Sequence, residues 1–148
     1  MAKEIKTQII INASAEKVWA VLTDFNNYPK WNPFIRSLTG NVVVGSIIEA
    51  KLQAPKASAM TVKPKVLAFD KNKEFRWRGQ LLMPGIFTGE HKFEIIDNKN
   101  GSCTFIQSEK FTGILVPFFK KMLDSSTTDG FNLMNRALKQ RTEQKDGI

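Results

Sequence analysis

Cysteine and histidine each occur once, as Cys103 and His91. A lone cysteine excludes an internal disulfide, and one residue of each type excludes the usual Cys/His zinc clusters, so neither a metal nor a cofactor is expected. Long apolar runs are missing too. The opening MAKEIKTQIIINASAEK holds only Ile9 to Ile11 before Asn12, far short of a signal-peptide core or a membrane span, and a cytoplasmic protein is expected. There are no repeats and no low-complexity tracts. Acidic residues are in deficit, 14 against 22 Lys plus Arg, for a formal charge of +8. Such a charge attracts anionic ligands, lipid headgroups and nucleic acid alike. The lysines are dispersed, however, and no RRM, KH or zinc-finger pattern accompanies them, so no nucleic-acid partner is expected.

What the chain does have is periodicity. Its 148 residues, 42% of them hydrophobic, suffice for one domain over 1–148 with a continuous core. EIKTQIII reads as a first strand. NASAEKVWAVLTDF follows as a helix with Ser14 as N-cap and Val18, Trp19, Val21, Leu22 and Phe25 on its apolar face. Pro29 and Pro33 limit any helix in NNYPKWNPF to about two turns. From residue 40 the period falls to two: SIIEAKLQA, MTVKPKVLAF, KEFRWRGQLL, FTGEHKFEII and SCTFIQSEKF each alternate apolar and polar, as half-buried antiparallel strands do. A meander is expected, with Gly79 and Gly89 marking bends. LVPFFKKMLDSSTTDGFNLMNRALKQRTEQ reads as one long helix, Pro117 in its first turn. Its middle, DSSTTDG, is small and polar where a packed helix carries Leu. Either the helix breaks there, or its central turns are narrow because something besides protein lies beneath them.

This order of elements resembles a helix-grip fold. INASAEKVWAVLTDFNNYPKWNPF resembles the opening signature of the START-like, polyketide cyclase/dehydrase (SRPBCC) superfamily: a strand, Ser14-Ala15 and Val18-Trp19 on the first helix, Asp24 to Tyr28 at its end, then Trp31-Asn32-Pro33. FRWRG at 75–79 and GEHKFEI at 89–95 resemble the family's paired central strands, and EKFTG at 109–113 its last strand. The resemblance implies an α+β, Bet v 1-like architecture in which a curved antiparallel sheet of six to seven strands wraps the terminal helix. It also implies a hydrophobic cavity between sheet and helix, with an apolar or amphipathic small molecule as partner: a lipid, polyketide or aromatic compound. Some members are cyclases, dehydratases or hydratases and others only carry ligands, so fold does not decide function.

Candidate site residues follow from the strand faces. Period two puts Phe87, Gly89, His91, Phe93 and Ile95 on one inward face, and Cys103, Phe105, Gln107, Glu109 and Phe111 on another. With a turn near residue 99, His91 lies opposite Gln107 or Glu109. An imidazole beside a carboxylate could serve as acid or base, hydrogen-bond a ligand, or simply satisfy a buried histidine. The candidate catalytic pair is therefore His91 with Glu109. Candidate ligand contacts are Trp31, Phe75, Trp77, Phe93, Phe105, Gln107, Phe119, Met122 and Ser126, with Tyr28, Asn32 and Arg36 expected at the mouth and Thr127 beside Ser126. Trp19, Trp31 and Trp77 each have a simple alternative as core or rim packing, Trp77 and Phe75 being better placed for the cavity wall than Trp19. LLMPGIF at 81–87 and TGILVPFF at 112–119, with Lys120 and Lys121, form either a ligand-entry rim, a transient membrane contact, or two loops packed together. Three functions stay open: a carrier, an enzyme of cyclase, dehydratase or hydrolase type, and a protein-interaction module.

Overall fold

The computed structural model describes residues 2–81 and 85–144, the side chains at 80 and 81 excepted. Alternating segments became strands because one face of each could be buried. In β1 (Ala2–Ile11) Ile5, Thr7 and Ile11 point inward while Lys6, Gln8 and Ile10 face solvent. The remaining strands are β2 (Ile35–Thr39), β3 (Glu49–Leu52), β4 (Met60–Val62), β5 (Lys65–Asp70), β6 (Glu74–Leu81), β7 (Phe87–Asp97) and β8 (Cys103–Thr112).

The described strands form two antiparallel sheets, one in the order β1-β8-β7-β6-β5 and one in the order β2-β3-β4. The split falls where the sequence reads as one strand, MTVKPKVLAF. Pro64 interrupts it, because proline cannot donate to a ladder, and β4 and β5 go to different sheets. Backbone hydrogen bonds Gly45 N to Val66 O, Val66 N to Ser46 O and Ile48 N to Pro64 O hold the sheets together at this corner. A register shift between Val66 and Ala68 bends β5 further, so Val66 is buried while Ala68 is half-buried. β2 was not legible in the sequence. Gly79 and Gly89, by contrast, sit in a ladder with no register shift and mark no bulge.

Helix α1 (Ala15–Leu22) starts at Ser14, whose hydroxyl accepts from Lys17 N at 3.1 Å. A 3-10 turn at Phe25–Asn27 and one α-turn, α2 (Tyr28–Trp31), follow it. Tyr28 is fully buried and donates its hydroxyl to Leu22 O. Asn32 is also buried, its Oδ1 accepting from Phe34 N at 3.0 Å and Ile35 N at 2.8 Å.

The terminal helix neither breaks nor stays regular. α3 (Val116–Met122) passes into α4 (Thr128–Glu143) through a π turn at Leu123–Thr127. The extra residue in that turn is accommodated by hydroxyls: Ser125 donates to Lys121 O and Thr128 to Leu123 O, both at 2.9 Å. Protein, rather than empty space, lies under Gly130, where a Cβ would come within 2.7 Å of the Phe34 ring. Phe131, Met134, Asn135 and Leu138 on α4, with Val18, Trp19 and Leu22 on α1, cover one end of the large sheet. Among the described residues no helix is long and apolar enough to cross a membrane.

Candidate functional site

Strand register lays the inner face of the large sheet out in rows. Phe75, Phe93 and Gln107 make one row, Trp77, His91 and Glu109 the next, and Gly79, Gly89 and Phe111 a third. The first row is completely buried: α1 packs on β7, α4 on β8, and Phe25 of the 3-10 turn meets Phe75 at 5.6 Å between centroids. Beyond the second row neither α1 nor α4 reaches the sheet and α3 with the π turn stands opposite it, and two of the three residues in the third row lack side chains. A cavity of about 380 Å³ opens there. Its walls are Trp77, Gly79, Phe87, Gly89, Glu109 and Phe111 from the large sheet, Leu52, Met60 and Val62 from the small one, Ala54, Ala57 and Ser58 from the connection between β3 and β4, Phe34, and Phe119, Met122, Leu123 and Thr127 from the terminal helix. Met60, Phe119 and Met122 are at once wall and surface, which places the mouth between the 54–60 connection and α3.

The polar exception in this wall is Glu109, aided by Ser58 and Thr127. Behind it stands His91, only 1% exposed, with Nδ1 3.2 Å from Glu109 Oε1. Its other nitrogen, Nε2, is 2.9 Å from Gln107 Oε1. Gln107 spends its amide hydrogens on Asn135 Oδ1 at 2.8 Å and Phe131 O at 3.4 Å. Asn135 Nδ2 donates to Thr7 Oγ1 at 2.8 Å, and Thr7 donates to Gln107 O at 3.1 Å. The chain fixes the tautomer: Gln107 Oε1 can only accept, so His91 Nε2 carries the hydrogen. For the Nδ1 contact to be attractive, one further proton must lie between Nδ1 and Glu109 Oε1. Phe93 stacks on the imidazole at 4.4 Å between centroids, and Trp77 and Phe131 close its sides at 5.2 and 4.9 Å. The ring therefore has no free face toward the cavity and reaches it only through Glu109.

Of the ligand contacts expected from sequence, Trp77, Phe119 and Met122 line the cavity, as does Thr127. The others do not. Phe75, Phe93 and Phe105 are fully buried in the aromatic core beneath α1 and α4, because alternation identifies an inner face but not which stretch of it the helices cover. Gln107 is buried behind His91. Ser126 bonds the Pro55 carbonyl, and its turn lines the cavity through Thr127 instead. Trp31 borders a separate surface depression with Ala137, Gln140 and Arg141. Tyr28 and Asn32 are tied into the α1–α2 junction, and Arg36 reaches back to Asn32 O at 2.8 Å, so none of the three stands at the mouth. Burial, with the Asp24 carboxylate adding to it, pushes the Tyr28 phenol far above its ordinary range. Desolvation likewise raises the Cys103 thiol, helped by Asp97, as suits a small core residue.

Sequence reading missed Phe34 and the small-sheet wall. The signal for Leu52, Met60 and Val62 was their period-two alternation, but nothing local shows that β3 and β4 leave the main sheet to face it. Gly85 and Ile86 accept backbone bonds from Ile114 N at 3.2 Å and Leu115 N at 3.0 Å, so these parts of the two apolar segments are packed on each other. The remainder of the 81–87 loop, residues 82–84, lies outside the described residues. Ile114 and Phe118 are largely exposed beside Lys120 and Lys121.

Solved structures share this architecture. An aromatase/cyclase from Streptomyces sp. R1128 matches with a TM-score of 0.78 at 13% identity, covering 97% of this chain and 94% of that one. A START superfamily protein from Mycobacterium smegmatis matches at 0.75 and 19% identity, over 95% and 97% of the two chains. Norcoclaurine synthase from Thalictrum flavum, in complex with dopamine and hydroxybenzaldehyde, matches at 0.73 and 17% identity, over 99% and 90%. No curated protein matches this chain by sequence. At these identities the likeness speaks for the fold, and the family model speaks for descent: matched over residues 2–143, the chain belongs to the polyketide cyclase/dehydrase and lipid transport family.

Proposed function

We propose that this protein binds and carries an apolar or amphipathic small molecule of the lipid, polyketide or aromatic kind. The observation that carries the proposal is the cavity of about 380 Å³, walled by aliphatic and aromatic side chains and open at one end. Volume and lining are those of a small-molecule site: mostly apolar, with few polar groups to orient the occupant. Burying apolar ligand surface there is worth roughly 25 cal/mol per Å² before the costs of association. The exposed Ile114 and Phe118, next to Lys120 and Lys121 at the α3 end of the mouth, support transient contact with a membrane during loading as part of the same proposal.

Native mass spectrometry of the purified protein, followed by denaturing extraction, tests it. A co-purified apolar compound, or thermal stabilisation by members of an apolar library, is the expected result. An empty protein that no member of such a library stabilises overturns the carrier reading and favours an interaction module acting through its basic surface.

One observation favours a second reading, an enzyme of the cyclase, dehydratase or hydrolase type. Glu109 meets the cavity and stands with Oε1 3.2 Å from His91 Nδ1, an arrangement able to give or take a proton at a bound molecule. In that case Glu109 is the catalytic residue and His91 a positioning residue. Incubating the extracted ligand with wild-type and His91→Ala protein separates the two: an enzyme converts it and the variant does not, whereas a carrier returns it unchanged and the variant still binds it.

A further inference from the structure

Among the described residues Glu109 is the one ionisable residue in the cavity wall, and its carboxylate is held with unusual definition. Oε1 is engaged by His91 Nδ1 at 3.2 Å. His91 cannot swing away, because Nε2 is committed to Gln107, Gln107 to Asn135 and Asn135 to Thr7. The second oxygen, Oε2, lies over Gly89. A Cβ built at residue 89 would overlap Oε2 outright and sit 3.2 Å from the carboxylate carbon, so the carboxylate occupies this position because residue 89 has no side chain. Gly89 has no positive φ, and its place in the ladder is regular, so no backbone requirement explains glycine there. What glycine provides is room for the carboxylate, and His91 with the chain behind it holds the carboxylate still. One oxygen is engaged by His91, and the other lies over Gly89, which with Glu109 forms part of the cavity wall.

We propose that Glu109 Oε2 is the anchoring acceptor for the ligand, with Gly89 and His91 as the residues that position it. The ligand is accordingly an apolar molecule bearing a hydrogen-bond donor, a hydroxyl or a protonated amine, and not an anionic amphiphile such as a fatty acid. This rests on the carrier reading and narrows it. The physical reason is hydrogen-bond complementarity: a donor on a fixed carboxylate oxygen in an apolar wall makes a strong bond, and a second carboxylate at the same place offers Oε2 an acceptor where it needs a donor. A ligand without a donor leaves Oε2 without a partner while Oε1 keeps its contact with His91.

Four probes on one skeleton test it by calorimetric titration: 2-naphthol, 2-(aminomethyl)naphthalene, 2-methoxynaphthalene and 2-naphthoate. At least one donor probe should bind about 10-fold tighter than the methoxy compound, as one charge-assisted hydrogen bond implies, with naphthoate weakest. Which donor wins tells hydroxyl from amine. Glu109→Leu should erase the preference, so that donor and methoxy probes bind alike. Gly89→Ala, which keeps the carboxylate but displaces it, should reduce the preference several-fold with the circular dichroism spectrum of the wild type, a result that loss of structure would not give. Equal affinity for donor and methoxy probes in the wild type, tighter binding of naphthoate, or a preference that survives in both variants overturns the anchor and leaves the cavity standing. If none of the four binds, the carrier reading falls and the anchor with it.

Discussion

His91 shows how one residue's role depends on what stands on each side of it. Its Nε2 is bound into a polar chain of Gln107, Asn135 and Thr7, all of them buried, and its Nδ1 faces a carboxylate in the cavity wall. Each donor and acceptor along that chain has a partner, which is what makes four polar side chains tolerable inside an aromatic core. Strand period and turn position put residue 91 opposite 107 or 109 without choosing between them; the register that pairs it with 109, and the order of the layers, with Glu109 in front and His91 behind, came only with the structure, since both lie on inward faces. Tyr28 gives a sharper test at this scale, because it is the only tyrosine. Its phenol is raised above the ordinary 10.0 by burial first and Asp24 second. The folded protein thus keeps a proton that the unfolded chain loses. That contribution to stability is whole below about pH 10 and is lost above it, at about 1.4 kcal/mol per pH unit. Tyrosinate absorbance should therefore stay flat past pH 10 and rise only together with unfolding. A reversible titration near 10 in folded protein contradicts the buried hydroxyl.

Among the elements, the terminal helix departs most from what its sequence pattern implies. DSSTTDG carries poor helix formers, yet the chain stays helical because tertiary contacts replace what propensity lacks. The π turn at Leu123–Thr127 gives up regular i to i−4 bonds, the Ser125 and Thr128 hydroxyls bond local carbonyls, and Ser126 ties the turn to Pro55. Gly130 admits the Phe34 ring, which in turn packs on Phe131 at 5.3 Å. Two effects oppose each other in Gly130→Ala. Helix propensity gains about 1 kcal/mol, but the Cβ at 2.7 Å from Phe34 forces a rigid ring to move, an overpacking cost of about 1–3 kcal/mol. A lower melting temperature is expected, and its recovery in the double variant with Phe34→Leu would assign the loss to this contact. A rise on Gly130→Ala alone would mean that the ring moves freely.

For the molecule as a whole, the decisive feature is that the helices cover only part of the large sheet. Gly79 tests this directly, since a Cβ there meets only Pro64 Cβ, at 3.8 Å, and anything larger projects into the cavity. Gly79→Leu should fold with a melting temperature close to wild type and lose co-purified ligand and library binding, while a variant that binds as before would place the ligand elsewhere. The amino-acid sequence by itself determined the inward faces of β6 to β8, the Ser14 cap and a place for His91 opposite Gln107 or Glu109, because period, capping and turn position are local properties, and its order of elements, with the resemblance to a known family, determined the class of fold. Only the tertiary structure decided that Phe75, Phe93 and Phe105 are core while Gly89 and Glu109 are wall, that Pro64 sends β4 to a second sheet, and that Phe34 fills the gap at Gly130. These are questions of which element covers which stretch of a face, and they are settled by packing between segments far apart in the chain, where an apolar residue in a core and one beside an open cavity have the same sequence signature.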